Sequence, residues 1–139
     1  MKLYTDIDGV LLGKSSETGL PTLANHAEQY IEYCLVNFDT YWLTTHCRGA
    51  TDTALDYLAP YCSPEMLTLL QQVKPSGFKT FKTEALSGDF IWVDDQPTAY
   101  EFMMLEQNDW LHRWYQVNTR KNSNELLTLI ESLKQLQGK

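Results

Sequence analysis

Positive charge is scarce in this chain. It has 11 Lys and Arg against 18 Asp and Glu, a formal net charge of −7 over 139 residues. That balance argues against non-specific nucleic-acid binding, which depends on cations to neutralise phosphates. It leaves room for a phosphorylated substrate, small or macromolecular, including a phosphorylated nucleic-acid end, held through a metal. The same acidity also keeps a small protein soluble. Long apolar runs are missing as well. None approaches the roughly 20 residues of a membrane helix, so no membrane partner is expected. The first residues, Met1 to Asp6, lack the apolar core of a signal peptide, and a cytoplasmic location is expected. Cysteines are few: Cys34, Cys47 and Cys62, an odd number at wide spacings. Without a CxxC pair they do not suggest zinc, and free thiols fit a reducing compartment. Repeats, low-complexity stretches and linker-like segments are absent, which predicts a single domain over residues 1–139. Its oligomeric state is not legible.

What is present is a globular composition, 43% hydrophobic and 21% charged. Leu3 to Thr5, ending in Asp6-Ile7-Asp8 and broken by Gly9, reads as a buried strand entering a loop. Residues 10–20, with Gly13, Ser15, Ser16 and Gly19 before Pro21, read as a flexible polar loop. Residues 22–37 carry Leu23, Ala27, Tyr30, Ile31, Cys34 and Leu35 at helical spacing, which also makes Cys34 a core residue. A strand follows at 40–45, then helices at 49–58 and 64–72 and a short helical turn at 80–86. Phe90-Ile91-Trp92-Val93 is the clearest buried strand, running into Asp94-Asp95. A helix is expected at 97–107, a strand at 111–117 and a terminal helix at 122–136. Alternating strands and helices predict an α/β fold: a three-layer Rossmannoid parallel sheet with helices on both faces and right-handed crossovers. Ligands of such sheets bind beyond the carboxyl ends of the strands. Those ends carry Asp6 and Asp8, Thr44 and Thr45, and Asp94 and Asp95.

Two nearby carboxylates repel unless a cation neutralises them. A hard cation such as Mg²⁺ prefers oxygen ligands and often shares them with phosphate. In chain order the sequence has Asp6-Ile7-Asp8-Gly9-Val10, then Tyr41-Trp42-Leu43-Thr44-Thr45, then Phe78-Lys79-Thr80-Phe81-Lys82-Thr83, then Trp92-Val93-Asp94-Asp95. This ordered set resembles the haloacid dehalogenase superfamily, most of whose members are phosphatases. The resemblance spans about residues 2–98. It implies that Asp6 attacks phosphorus and forms an aspartyl-phosphate. It implies that Asp8 protonates the leaving oxygen and then activates water. Asp6, the Asp8 backbone carbonyl, Asp94 and Asp95 would bind Mg²⁺; which of the last pair does so directly stays open. Thr44 would bond a phosphoryl oxygen, and Lys82 would neutralise nucleophile and phosphate. Thr44 follows the apolar run directly and is preferred to Thr45; Lys82 opens the turn before the last motif strand and is preferred to Lys79. The gaps between motifs are too short for a large cap, which implies an open site covered at most by residues 10–20. The substrate is not legible.

Other residues carry plainer readings. Cys47 and Arg48 are adjacent, whereas a cysteine phosphatase needs a longer phosphate loop between those residues. His46 and Arg48 lie at the functional edge but read as loop residues with local hydrogen bonds. Lys14 and Glu17 read as solvated, His112 and Arg113 as structural, and the four tryptophans as core or near-core anchors. Asn118, Thr119 and Arg120 lie within reach of the edge without a role assigned to them. A receiver domain also pairs acids with Thr and Lys, but its phosphorylated Asp ends a middle strand, where this chain has Thr44. A catalytically retired member of the superfamily, acting as a binding or regulatory module, is the alternative to a phosphatase.

Overall fold

The computed structural model describes residues 1–47 and 49–138. Four parallel strands form the main sheet: β1 (Lys2–Thr5), β4 (Asp39–Trp42), β5 (Phe90–Asp94) and β6 (Trp114–Gln116), in the order β4-β1-β5-β6. A separate antiparallel hairpin joins β2 (Leu12–Lys14) to β3 (Pro21–Leu23). The helices are α1 (Ala27–Asn37), α2 (Thr51–Leu58), α3 (Pro64–Leu70), α4 (Ala99–Gln107) and α5 (Glu125–Gln137). Single 3₁₀ turns lie at Lys82–Ala85 and Leu111–Arg113. Among the described residues no helix is long and apolar enough to cross a membrane.

The central strands are the most apolar, as parallel strands covered on both faces must be. All five residues of β5 are buried. Successive side chains point to opposite faces of a strand. Leu3, Ile91 and Val93 accordingly join one hydrophobic cluster, with Tyr30 and Ile31 of α1 and Leu126 and Leu133 of α5. Tyr4, Phe90 and Trp92 join another, with Leu105 of α4. The hydroxyl of fully buried Tyr30 donates to Thr5 Oγ1 at 2.8 Å, so its burial leaves that group satisfied. The outer edge of β4 is closed by Lys74, whose N–H donates to Thr40 and whose carbonyl accepts from Trp42.

Several boundaries differ from the sequence reading. Residues 10–20 are not one polar loop: Val10, Leu11 and Leu12 are buried, and Leu12 to Lys14 pair with β3. The glycines and serines there serve a hairpin, whose tip is tied by Glu17 and Thr18 N–H groups donating to Ser15 Oγ. Because the hairpin uses residues 21–23, α1 starts at Ala27 rather than at 22. Only Trp114–Gln116 of the expected late strand pairs with β5; Leu111–Arg113 turns instead. The expected strand at 40–45 ends at Trp42; the Leu43 N–H still donates to the Thr5 carbonyl of β1 at 2.8 Å, and residues 44–45 turn away.

Candidate active site

The chain passes from β1 to β4 on one side, then to β5 on the other. Strand order therefore reverses around β1, the place where α/β sheets open a crevice at their carboxyl edge. Thr5 pairs with Val93, and Asp6 N–H donates to the Val93 carbonyl at 3.1 Å. The residues that follow, Asp6 and Asp94, thus stand side by side. Both are buried, at 6% and 1% exposure. Asp6, Asp94 and Asp95 each bring a carboxylate oxygen within 4.8 Å of the others.

Burial penalises this concentration of negative charge. It pushes the Asp6 carboxyl above its usual range, against the nearby Lys82 ammonium, the Ile7 N–H and the Thr44 hydroxyl, which pull it down. It pushes Asp94 up to about 8, with the Asp6 charge adding to the rise and Lys82 opposing it. The Lys82 ammonium lies between them, 3.1 Å from Asp6 Oδ2 and 2.7 Å from Asp94 Oδ2. Burial works against its charge, but the two carboxylates overcome that and hold it above its ordinary value. Lys79 is exposed, and its N–H donates to Glu84; Lys82 is the lysine in the cluster. Thr44 is buried and its Oγ1 accepts from the His46 N–H, whereas Thr45 is exposed.

Asp8 stands apart from the three carboxylates. Its Oδ1 accepts from the Tyr57 hydroxyl at 2.7 Å, and its Oδ2 lies 2.8 Å from His46 Nε2. The His46 and Tyr57 rings stack at 3.5 Å and 7°. Asp95 is half-buried: Oδ1 accepts from Gln96 N–H, and Oδ2 from Arg120. Gly9 makes this close approach possible. Its φ is +80°, and a Cβ there would run into the Asp95 carboxyl group. One hollow of about 660 Å³, lined by Gly49, Gly77, Phe78, Lys79 and Glu84, adjoins the Lys82 turn.

Three clustered carboxylates with one ammonium form an acidic, oxygen-only donor set. That set fits a hard divalent cation such as Mg²⁺ and does not fit a soft metal. Asp6, Asp94 and Asp95 are the side chains that would hold it.

The contacts that the sequence reading did not anticipate join residues distant in the chain. His46 does not bond locally through its ring but reaches Asp8, and Tyr57 was not a candidate at all. Buried Glu101 accepts from the Lys82 N–H at 2.6 Å and from Thr98 N–H at 2.9 Å. The Thr98-x-x-Glu101 capping box was a legible signal for it. Arg120 pairs with Asp95, while Arg113 pairs with Asp89 and Cys34 is fully buried core. Trp42 and Trp92 are fully buried, and Lys14 and Glu17 lie exposed on the hairpin. Arg48 lies outside the described residues. No known protein family, curated protein or solved structure matches this chain.

Proposed function

We propose that this protein is a magnesium-dependent phosphohydrolase, a single-domain, three-layer and capless member of the haloacid dehalogenase type. The observation that carries the reading is the Lys82 ammonium bridging two buried carboxylates, Asp6 and Asp94, at the ends of adjacent parallel strands. A bound Mg²⁺ would offset the carboxylate charge and draw phosphoryl oxygens into the site. An Asp6 carboxylate oxygen attacks phosphorus as the bond to the leaving oxygen breaks, giving an aspartyl-phosphate. Asp8 gives its proton to that leaving oxygen. Water then attacks phosphorus, Asp8 takes its proton, and phosphate leaves with Asp6 restored. Lys82 stabilises charge on the transferred group, and the buried Thr44 hydroxyl offers it a hydrogen bond. The substrate is a phosphoester whose bulk stays outside an uncapped edge.

The test is phosphate release from p-nitrophenyl phosphate and a panel of phosphomonoesters with Mg²⁺. Wild type is expected to turn over and Asp6→Asn to lose activity by at least about a hundredfold. Equal rates in the two proteins would refute Asp6 as nucleophile. A folded wild type inactive across the panel would leave the retired binding module as the better reading.

A further inference from the structure

Asp8 is held in a way that its own segment does not explain. The terminal torsion of an aspartate is broad and roughly two-fold, so the side chain does not fix the plane of its carboxylate. Here two donors from elsewhere in the chain fix it. Tyr57, on the last turns of α2, donates to Oδ1; His46, in the connection from β4 to α2, meets Oδ2. An ionised carboxylate only accepts hydrogen bonds, so in that state of Asp8 the His46 ring N–H is the donor of the 2.8 Å contact. The two donors are themselves locked face to face at 3.5 Å. A carboxylate has about four acceptor positions. The clamp uses one on each oxygen and leaves one on each for a proton in transit.

We infer that Tyr57 and His46 are positioning residues that orient the Asp8 carboxylate for proton transfer to the leaving oxygen. The inference rests on the phosphohydrolase reading above and deepens it: α2, which carries none of the motif residues, helps set how well the enzyme expels a poor leaving group. An alkoxide needs a proton as it departs, whereas p-nitrophenolate leaves without one. Misorienting Asp8 therefore harms alkyl phosphates selectively in kcat/KM, which reports the steps through alcohol release.

The test is Tyr57→Phe, which keeps the ring stack and deletes only the hydroxyl. Its kcat/KM with Mg²⁺ is measured for a primary alkyl phosphate and for p-nitrophenyl phosphate, with circular dichroism to verify the fold. The alkyl ester is expected to slow by roughly tenfold, part of the 10²–10⁴ that general acid–base catalysis supplies, and the aryl ester by less than about threefold. Equal loss for both esters, or no loss for either, would overturn the inference while leaving the phosphohydrolase reading intact. A wild type inactive on both would overturn that reading and the inference with it. Crystal structures of both proteins give a readout independent of turnover. The Asp8 carboxylate is expected to bond Tyr57 and His46 in wild type and to rotate in Tyr57→Phe; the same orientation in both would count against the clamp.

Discussion

The sharpest consequences at the residue scale come from the buried carboxylates. Asp94 has an ordinary value of 3.8 and is pushed up to about 8 by burial and by Asp6. Between those values the folded state keeps a proton that the unfolded chain has lost, so stability falls as pH rises through this window. Metal-free protein is therefore expected to melt lower at about pH 8 than at about pH 5.5, and Asp94→Asn to show a smaller drop. Mg²⁺ at about a hundredfold over its Kd should return roughly 2.7 kcal/mol at the higher pH. Thermal unfolding in chelator and in Mg²⁺ checks both parts; an identical pH slope in wild type and Asp94→Asn would refute the assignment. A second expectation concerns Gly9, where an alanine meets both a left-handed backbone and the Asp95 carboxyl. Gly9→Ala should cost about 1–3 kcal/mol in urea unfolding and weaken stabilisation by Mg²⁺, since Asp95 must move. Asp6, Lys82 and Asp94 were legible because each ends or precedes an apolar strand. Tyr57 was not, because nothing in the spacing of α2 says that residue 57 meets residue 8.

Elements carry the next level of control. Helix α4 begins with Thr98 Oγ1 accepting from the Glu101 N–H, and the Glu101 carboxylate returns to the Thr98 N–H. Such boxes satisfy donors at a helix start that would otherwise lack partners. The other Glu101 oxygen takes the Lys82 N–H, tying the 3₁₀ turn that presents Lys82 to the helix that follows Asp94-Asp95. Glu101→Gln keeps one acceptor oxygen where two are used. The variant is expected to lose about 1–3 kcal/mol in chemical denaturation and to lower kcat more than it raises KM. Loss of stability with unchanged kcat would confine Glu101 to capping. The box was visible in the sequence, but its reach to Lys82 is a tertiary contact and was not. The hairpin was missed for a related reason. Gly13, Ser15, Ser16 and Gly19 are turn formers, and only burial of Val10 to Leu12 shows that the turn joins two paired strands.

At the scale of the whole molecule, alternation of strands and helices made the parallel α/β sheet legible, because parallel strands require long crossovers. Strand order was not legible, since β1 could pair with any later strand until non-local packing chooses. That order assembles the candidate site: β4 and β5 flank β1, so Thr44 and Asp94 can both reach the level of Asp6. Electrostatics at this scale set how a substrate arrives. The chain carries a net charge of −7 and gathers carboxylates at the edge where, on the phosphohydrolase reading, an anionic phosphoester would dock. Long-range repulsion then slows association, whereas Lys82 and a bound cation attract only over short distances. Salt shortens the reach of charge from about 30 Å at 0.01 M to about 8 Å at 0.15 M, which screens the distant repulsion while leaving buried contacts nearly intact. With Mg²⁺ saturating and a non-coordinating salt, kcat/KM for an anionic phosphoester is expected to rise by roughly two- to fivefold across that range. The kcat, which starts from bound substrate, should hardly change. A fall in kcat/KM with salt would show instead that the cations at the edge, Lys82 with Arg120, outweigh the acidity of the molecule in steering the substrate to Asp6.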